Sequence, residues 1–519
     1  LAIGARHPLG GIILRNLDEL LRASARRYPK HIAIVFGQKK ITYEKLDELT
    51  DHVAIGLIDL GIKKGDKVAI FLDNCPEFVI SYYGILKAGA VVVPINYMFK
   101  IEEAKYILED SQAKAMITLS RFLPMAEELH LRVESLKTII TSGDFFTLKK
   151  HDQQTLLGQS ADTHDLAVIL YTSGTTGFPK GAMLSHYNLI SNVDDASHAV
   201  PINYHYTFIC ILPLFHSFAA AVCMNFPLLV GAKIVIMKSV KPFRRVIRAI
   251  RKNRVRVLVG IPSMYTILAN MKMPKIFHGP LIKLFNPVKV CVSGAAALSA
   301  KTFNSFEKRF RIPLLEGYGL TEASPVVSIN PLKGKRKAGS VGVALSKNIE
   351  LKIIDEQGNA LAPNQAGELL VKGPNVMRGY FQKEEATKEV LKDGWLHTGD
   401  MAKIDSEGYI YIVGRKKEMV NVRGLNVYPR EIEEVLYQNL KIKEAAVIGV
   451  VDEHKGEVPK GFVVLKEGER ATEQEILHYL RERLAPYKIP KAIEFREALP
   501  KNTLGKILKR ILVQEEQSL

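Results

Sequence analysis

The sequence predicts an α/β protein, with a large N-terminal domain of mainly parallel sheets covered by helices, a small antiparallel region, and a small C-terminal α+β domain. Three observations carry this expectation. Short apolar runs alternate with helical segments in the first part of the chain and again past Lys233. From about Ser340, strand-like runs follow one another with turn residues between them and no long helix. Beyond Lys417, helix and strand mix again over a stretch of about a hundred residues, the usual size of one domain.

Taken in order, Lys67 to Leu72 reads as a strand, Pro76 to Lys87 as a helix and Ala90 to Pro94 as a second strand. Ile101 to Asp110 then reads as a helix and Lys114 to Leu119 as a strand. Such alternation implies crossover units and a sheet covered on both faces. Leu166 to Leu170 is an apolar run expected to form a buried strand, and Ala182 to Ile190 reads as the start of a helix. Lys233 to Met237, Arg256 to Gly260 and Val288 to Ser293 are further short strands. Ser340 to Ala344, Ile349 to Ile354 and Gly367 to Val371 form the expected antiparallel region, and Gly408 to Val413 is one more strand. Pro429 to Gln438 is helical, Ala445 to Val451 and Gly461 to Lys466 are strands, and Glu473 to Leu484 is a helix with Thr472 as its N-cap. The boundary is placed at Arg415 to Lys417, giving domains 1–414 and 415–519.

A chain of 519 residues, 47% apolar, is too long for one ordinary core and has the material for two or more. Cys75, Cys210, Cys223 and Cys291 are scattered without zinc-ligand spacing, so neither a zinc site nor a disulfide framework is expected, in keeping with a reduced cytoplasm. The short apolar stretch at Gly11 to Leu14 does not read as a secretory signal. From Ala196 through Ala232 there is no Lys, Arg, Asp or Glu, but Pro213, His216, Ser217, Asn225 and Pro227 interrupt the run. It is read as buried strand and helix instead of a membrane span.

The net charge of +18 is unevenly spread. No acidic residue occurs between Ala196 and Phe306, a stretch that holds 15 of the positive charges. Within it, Phe243, Val246, Ile247 and Ile250 recur at helical spacing, so Lys241 to Arg254 reads as a helix with one apolar and one basic side. A solvated helix face is the commoner meaning of such a run; attraction of anionic substrates or contact with anionic lipid are the functional alternatives. Nucleic acid is the least favoured partner, since no aromatic interleaving or binding motif accompanies the charge.

Five stretches carry chemistry. Tyr171-Thr172-Ser173-Gly174-Thr175-Thr176-Gly177-Phe178-Pro179-Lys180-Gly181 packs hydroxyls, open backbone N–H groups and a lysine behind a strand, which is what an anion requires. It departs from the Walker pattern, with Pro179 five residues after Gly174. An isolated run of this composition is more often a surface loop; the strand before it and Lys180 at its end favour a phosphate cradle. Glu316-Gly317-Tyr318-Gly319-Leu320-Thr321-Glu322 offers close backbone approach, a flat ring for stacking, a hydroxyl and a carboxylate able to hold Mg²⁺. Ser293-Gly294-Ala295 would admit a flat ring or an acyl chain, although small residues serve close packing equally well. Asp400, behind a glycine turn, and Arg415 suit a ribose diol. Lys506 follows a glycine turn in Pro500 to Lys506, near the end of the sequence.

In this order, over nearly the whole chain, these stretches resemble the adenylate-forming superfamily of acyl-CoA synthetases, peptide-synthetase adenylation domains and firefly luciferase. Glu316 to Pro325, Leu212 to Phe218 and the overall length are most similar to bacterial fatty-acyl-CoA ligases. The resemblance implies a two-step reaction: a carboxylate attacks the α-phosphate of MgATP to give acyl-adenylate and pyrophosphate, then the thiol of coenzyme A displaces AMP. It implies that Thr172, Ser173, Gly174, Thr175, Thr176 and Lys180 hold the β- and γ-phosphates, that Thr321 binds phosphate and that Glu322 coordinates Mg²⁺. Tyr318 would stack on adenine beside Ser293, Gly294, Ala295, Glu316, Gly317 and Gly319, with Asp400 and Arg415 on the ribose. Lys506 would bridge the acyl carboxylate and the α-phosphate, on a C-terminal domain that rotates between steps about Lys417. Gly424 would line the pantetheine tunnel and His216 an aromatic gate beside the acyl site. A medium- to long-chain fatty acid is the expected substrate. An aryl or short-chain acid, transfer to a carrier protein, and a non-catalytic nucleotide- or lipid-binding protein are the alternatives.

Overall fold

Runs such as Val91–Pro94 and Ala115–Thr118, apolar on both faces, are stable only between two covering layers, and the chain places them there. The computed structural model describes residues 14–141, 161–172, 179–271, 286–422, 425–452, 456–503 and 505–517. Among them, one sheet runs in the order Thr138–Thr141, Ala115–Thr118, Lys67–Phe71, Val91–Pro94, Leu166–Thr172, Lys180–Ser185. All its pairs are parallel except the last. A second, larger sheet has the parallel strands Ile32–Phe36, Lys233–Ile236, Thr207–Cys210, Val257–Gly260, Val290–Ser293 and Leu314–Gly319 at its centre. One large hydrophobic core joins the two sheets and their helices.

The antiparallel region is present as Glu350–Ile354, Gly367–Lys372, Trp395–Ile404 and Ile410–Arg415. One strand assigned to it lies elsewhere. Val343–Ala344 pairs with Val326–Ile329 and so becomes the edge of the large sheet. The following unit has a separate core, in which Val420, Val422, Ile432, Leu436, Val447 and Val463 pack together. The helices Pro429–Gln438 and Glu473–Arg481 cover this core, and the hydroxyl of Thr472 accepts from the Glu475 N–H at 3.2 Å as the cap of the second.

The expectation of helix from Ala182 is corrected. Lys180–Ser185 is a strand, and the helix begins only at His186. Gly181 to Leu184 is a short apolar run that pattern alone assigns to neither period. Pairing decides it, since Thr172 faces Lys180 and Leu170 faces Ala182 across an antiparallel ladder. Ser185 then stops the strand by capping the helix, its hydroxyl accepting from Asn188 N–H at 3.2 Å while Asn188 Oδ1 accepts from Ser185 N–H at 2.8 Å.

The uncharged stretch from Ala196 becomes the strand Thr207–Cys210 and a winding segment, Ser217–Ala219, Ala220–Asn225 and Phe226–Leu229, whose middle part is a π-helix. Among the described residues no helix is long and apolar enough to cross a membrane. All four cysteines are free and buried. The basic helix is Phe243–Asn253; of its residues only Val246 is buried, and Arg244, Arg245, Arg248 and Arg251 are exposed.

Candidate functional site

The parallel strands of the large sheet end at Gly260, Ser293 and Gly319, and ligands of open α/β sheets bind beyond such carboxyl ends. A cavity of about 970 Å³ lies there, closed on its far side by the C-terminal unit. Its polar lining includes Thr172, Lys180, Thr321, Glu322, Arg415 and Lys506; its apolar lining includes Val200, Ile202, Phe208, Val222, Phe226 and Val257. A group with a charged head and a long apolar tail matches such a lining.

The strand pairing that corrects residues 180–185 also builds one wall. It sets Thr172 beside Lys180 and so brings the two ends of the glycine-rich stretch together. Tyr171 donates to Asp110 Oδ2 at 2.7 Å and Tyr106 to Pro179 O at 3.1 Å, so both flanks of the stretch are tied to the helix Ile101–Ser111. Ser173, Gly174, Thr175 and Thr176 lie outside the described residues, as does Gly424.

Gly317, Tyr318, Gly319, Thr321 and Glu322 all line the cavity. The Thr321 hydroxyl is 3.2 Å from that of Ser217, and the Tyr380 hydroxyl donates to Glu322 Oε1 at 2.8 Å. The Lys180 ammonium sits 5.3 Å from the Tyr380 ring centre, so Tyr380 links the expected phosphate lysine to the expected metal ligand. Among the described residues no group of three or more His, Cys, Asp or Glu could hold a metal ion by itself. One carboxylate beside a phosphate site suits Mg²⁺, which takes one or two carboxylates and completes its shell with phosphate oxygens and water.

Gly294 and Ala295 face the cavity as well. A side chain at Gly294 would meet the Phe218 ring, whose Cζ lies 2.8 Å from the position of its first carbon. His216 lines the cavity, and its Nδ1 accepts from Phe218 N–H at 3.3 Å. Burial, with Lys506 nearby, lowers the His216 pKa to about 4, so the ring is neutral at physiological pH.

Three expected contact residues do not line the cavity. Ser293 is fully buried at the end of its strand. Glu316 points away, its Oε1 accepting from Leu298 N–H at 2.9 Å and so holding the turn that carries Gly294 and Ala295. Asp400 is engaged by the protein itself: Arg415 Nε lies 2.6 Å from Oδ1, and the Tyr318 hydroxyl donates to Oδ2 at 2.5 Å. Each of these three side chains is enclosed by the protein, so in this structure they stand behind the cavity wall.

Lys417 and Lys506 reach the same cavity from the C-terminal side. Lys416 pairs with Glu368 Oε2 at 2.8 Å, and Lys509 pairs with Glu418 at 3.2 Å and with Glu433 at 2.8 Å, so the segment 416–418 is anchored on both sides. The loop before Lys506 closes on Asn502, whose Oδ1 accepts from Lys506 N–H at 2.9 Å. Gly505 has φ +74°, and its open face lies against Ile261 and Ser263 of the opposite unit. The Lys506 side chain keeps contact with solvent, yet it stands within the cleft; the surrounding protein mass, and then Arg415, lower its pKa. Tyr380, Glu368 and Lys509 have no motif around them, and nothing local in the sequence marks them.

The chain matches the family described as AMP-binding enzyme over residues 21–381, and its companion, AMP-binding enzyme C-terminal domain, over residues 431–506. It is 38% identical to a long-chain-fatty-acid--CoA ligase of Bacillus subtilis, covering 97% of this chain and 95% of that one. With the ligase of the same name from Salmonella typhimurium the identity is 35%, over 96% and 94%. Among solved structures, ATP-bound MatB from Rhodopseudomonas palustris superposes with a TM-score of 0.85 at 31% identity, covering 96% of this chain and 99% of that one.

Burial raises the Glu316 pKa from 4.5 to about 8, with Arg430 lowering it and Glu434 raising it. The folded chain therefore keeps a proton that the unfolded chain loses above 4.5, and stability falls as pH rises from 4.5 towards 8. Glu316→Gln is expected to flatten this fall in a plot of melting temperature against pH. An unchanged slope would exclude Glu316 as its source.

Proposed function

Because the chain belongs to the AMP-binding enzyme family, whose members join acids to coenzyme A through an acyl-adenylate, we propose that its cavity activates a fatty acid of medium to long chain. The observation that carries this is one lining shared by Lys180, Thr321, Glu322 and Lys506 with Phe208, Val222 and Phe226. In the first step a carboxylate oxygen attacks the α-phosphorus of ATP, the bond to the bridging oxygen breaks, and pyrophosphate leaves. In the second the thiol sulfur of coenzyme A attacks the acyl carbon, its proton is lost, and AMP leaves with the electron pair.

The first step brings an anion to a polyanion, so alignment and charge neutralisation dominate the barrier. Lys180 and the 172–176 stretch hold the β- and γ-phosphates, and Thr321 donates to phosphate. Mg²⁺ carried with ATP, with Glu322 as its protein ligand, would neutralise further charge. Lys506 spans the attacking carboxylate and the α-phosphate. Arg415, held by Asp400, meets the ribose beside the Tyr318 ring. His216, neutral and next to Phe218, shields the acyl carbon without adding charge. Ser293 and Glu316 support the wall from behind.

Thioester formation needs the space that Lys506 fills, so the C-terminal unit, 415–519, turns away about Lys417 and exposes a path for pantetheine near Gly424. The exposed basic face of Phe243–Asn253 supports a further role for this enzyme, peripheral contact with anionic lipid, where its apolar substrate resides. An aryl or short-chain acid, and a carrier protein as acceptor, are the remaining readings of the same site.

Wild-type protein is expected to catalyse ATP/pyrophosphate exchange that depends on an added carboxylate, with rates across an acid panel highest for medium and long chains. No exchange with any acid would sink the reading. Lys506→Ala should lower exchange by roughly a hundredfold or more yet form thioester from supplied acyl-adenylate; equal loss of both steps contradicts its role. On vesicles containing an anionic phospholipid, binding should weaken with salt and with Arg244→Ala/Arg245→Ala/Arg248→Ala. Equal retention on neutral vesicles would count against lipid contact.

A further inference from the structure

Tyr380 belongs to none of the stretches that mark the site in the sequence, yet its side chain reaches two of them. It is buried and lines the cavity. Its hydroxyl donates to Glu322 Oε1 at 2.8 Å, and its ring centre lies 5.3 Å from the Lys180 ammonium. A hydrogen bond on one carboxylate oxygen fixes the rotation of the group, and the face of an aromatic ring attracts a cation. One side chain thus sets the relation between the carboxylate expected to meet Mg²⁺ and the ammonium expected to meet phosphate.

The backbone around Tyr380 is held independently of that hydroxyl. Lys180–Ser185 is the edge strand of its sheet, and the segment 378–381 lies along it. Met183 N–H donates to Gly379 O at 2.9 Å, Arg378 N–H to Met183 O at 3.0 Å and Phe381 N–H to Gly181 O at 2.8 Å. Met377 N–H donates to the Glu322 carbonyl at 2.8 Å, so the adjoining backbone also grips the turn Thr321–Ala323. Tyr380 N–H donates to Thr387 Oγ1 at 2.9 Å, in the helix Glu384–Val390. Gly379 permits this approach: its φ is +133°, and a first side-chain carbon would stand 2.6 Å from Thr387 Cγ2. Strand, turn and helix together deliver the ring to the cavity, and a change at the hydroxyl alone leaves these backbone contacts in place.

We propose that Tyr380 is a positioning residue for ATP: its hydroxyl sets the Glu322 carboxylate for Mg²⁺, and its ring seats Lys180 for the phosphates. This rests on the nucleotide site proposed above. A hydrogen-bond partner of a metal-ligating carboxylate typically accounts for about tenfold or more of metal affinity. The two contributions are separable, because the hydroxyl acts only when the metal is present and the ring acts with or without it.

Titration calorimetry of the full chain with ATP, once in Mg²⁺ and once in EDTA, separates them. Tyr380→Phe keeps the ring and the backbone contacts. It should bind ATP about tenfold more weakly than wild type in Mg²⁺ and equally well in EDTA, and the Mg²⁺ concentration for half-maximal carboxylate-dependent exchange should rise about tenfold. Tyr380→Leu should in addition lose about two- to fivefold in EDTA. In a Glu322→Gln background, Tyr380→Phe should cost nothing further, since both residues act on one ion. If the larger change does not fold, Tyr380→Phe alone decides the role of the hydroxyl. Equal weakening of Tyr380→Phe in Mg²⁺ and EDTA, or wild-type affinity in both, overturns the proposal and leaves the adenylation reading standing. A wild type that binds no ATP in either condition overturns both.

Discussion

The ion pair between Asp400 and Arg415 is the point on which the separate parts of the structure converge. The two residues face each other across neighbouring antiparallel strands, and Arg415 is the last residue before the segment that leads to the C-terminal unit. The Tyr318 hydroxyl completes the coordination of the same carboxylate from the large parallel sheet. One buried carboxylate thus aligns the cavity wall, the antiparallel sheet and the start of the segment that leads to the C-terminal unit. An unpaired charge at this depth would be costly, so the pairing holds the elements in relation.

Positive charge is concentrated in two places. Cations gather at the cavity, where Lys180, Arg415, Lys417 and Lys506 reach one space, and the surrounding protein mass, then Arg415, keep Lys506 less basic than a surface lysine. His216 adds none, because burial holds it neutral. Elsewhere the surplus lies on the outside of Phe243–Asn253, far more exposed than its apolar stripe requires.

Much of the architecture was legible in the sequence because buried parallel strands leave a strong mark. Val91 to Pro94 and Ala115 to Thr118 admit no amphipathic alternative. Ala182 to Ser185 reads as helix in the sequence yet is strand, because Gly181-Ala182-Met183-Leu184 fits either period and only the ladder with Leu166–Thr172 decides it. The motifs located the cavity through Thr321, Glu322, Arg415 and Lys506, while Ser293, Glu316 and Asp400 stand behind its wall, a placement set by neighbours distant in sequence. Tyr380 and Lys509 were invisible, since their roles arise from neighbours distant in sequence.

The burial of every cysteine bears on how motion in this molecule can be watched. Cys75, Cys210, Cys223 and Cys291 are all enclosed, and burial pushes the thiols of Cys75 and Cys291 further from the reactive thiolate. A single cysteine placed on the surface of each unit would therefore accept a dye ahead of the native thiols. The natural sequence already provides a quiet background for asking, molecule by molecule, whether one unit swings against the other.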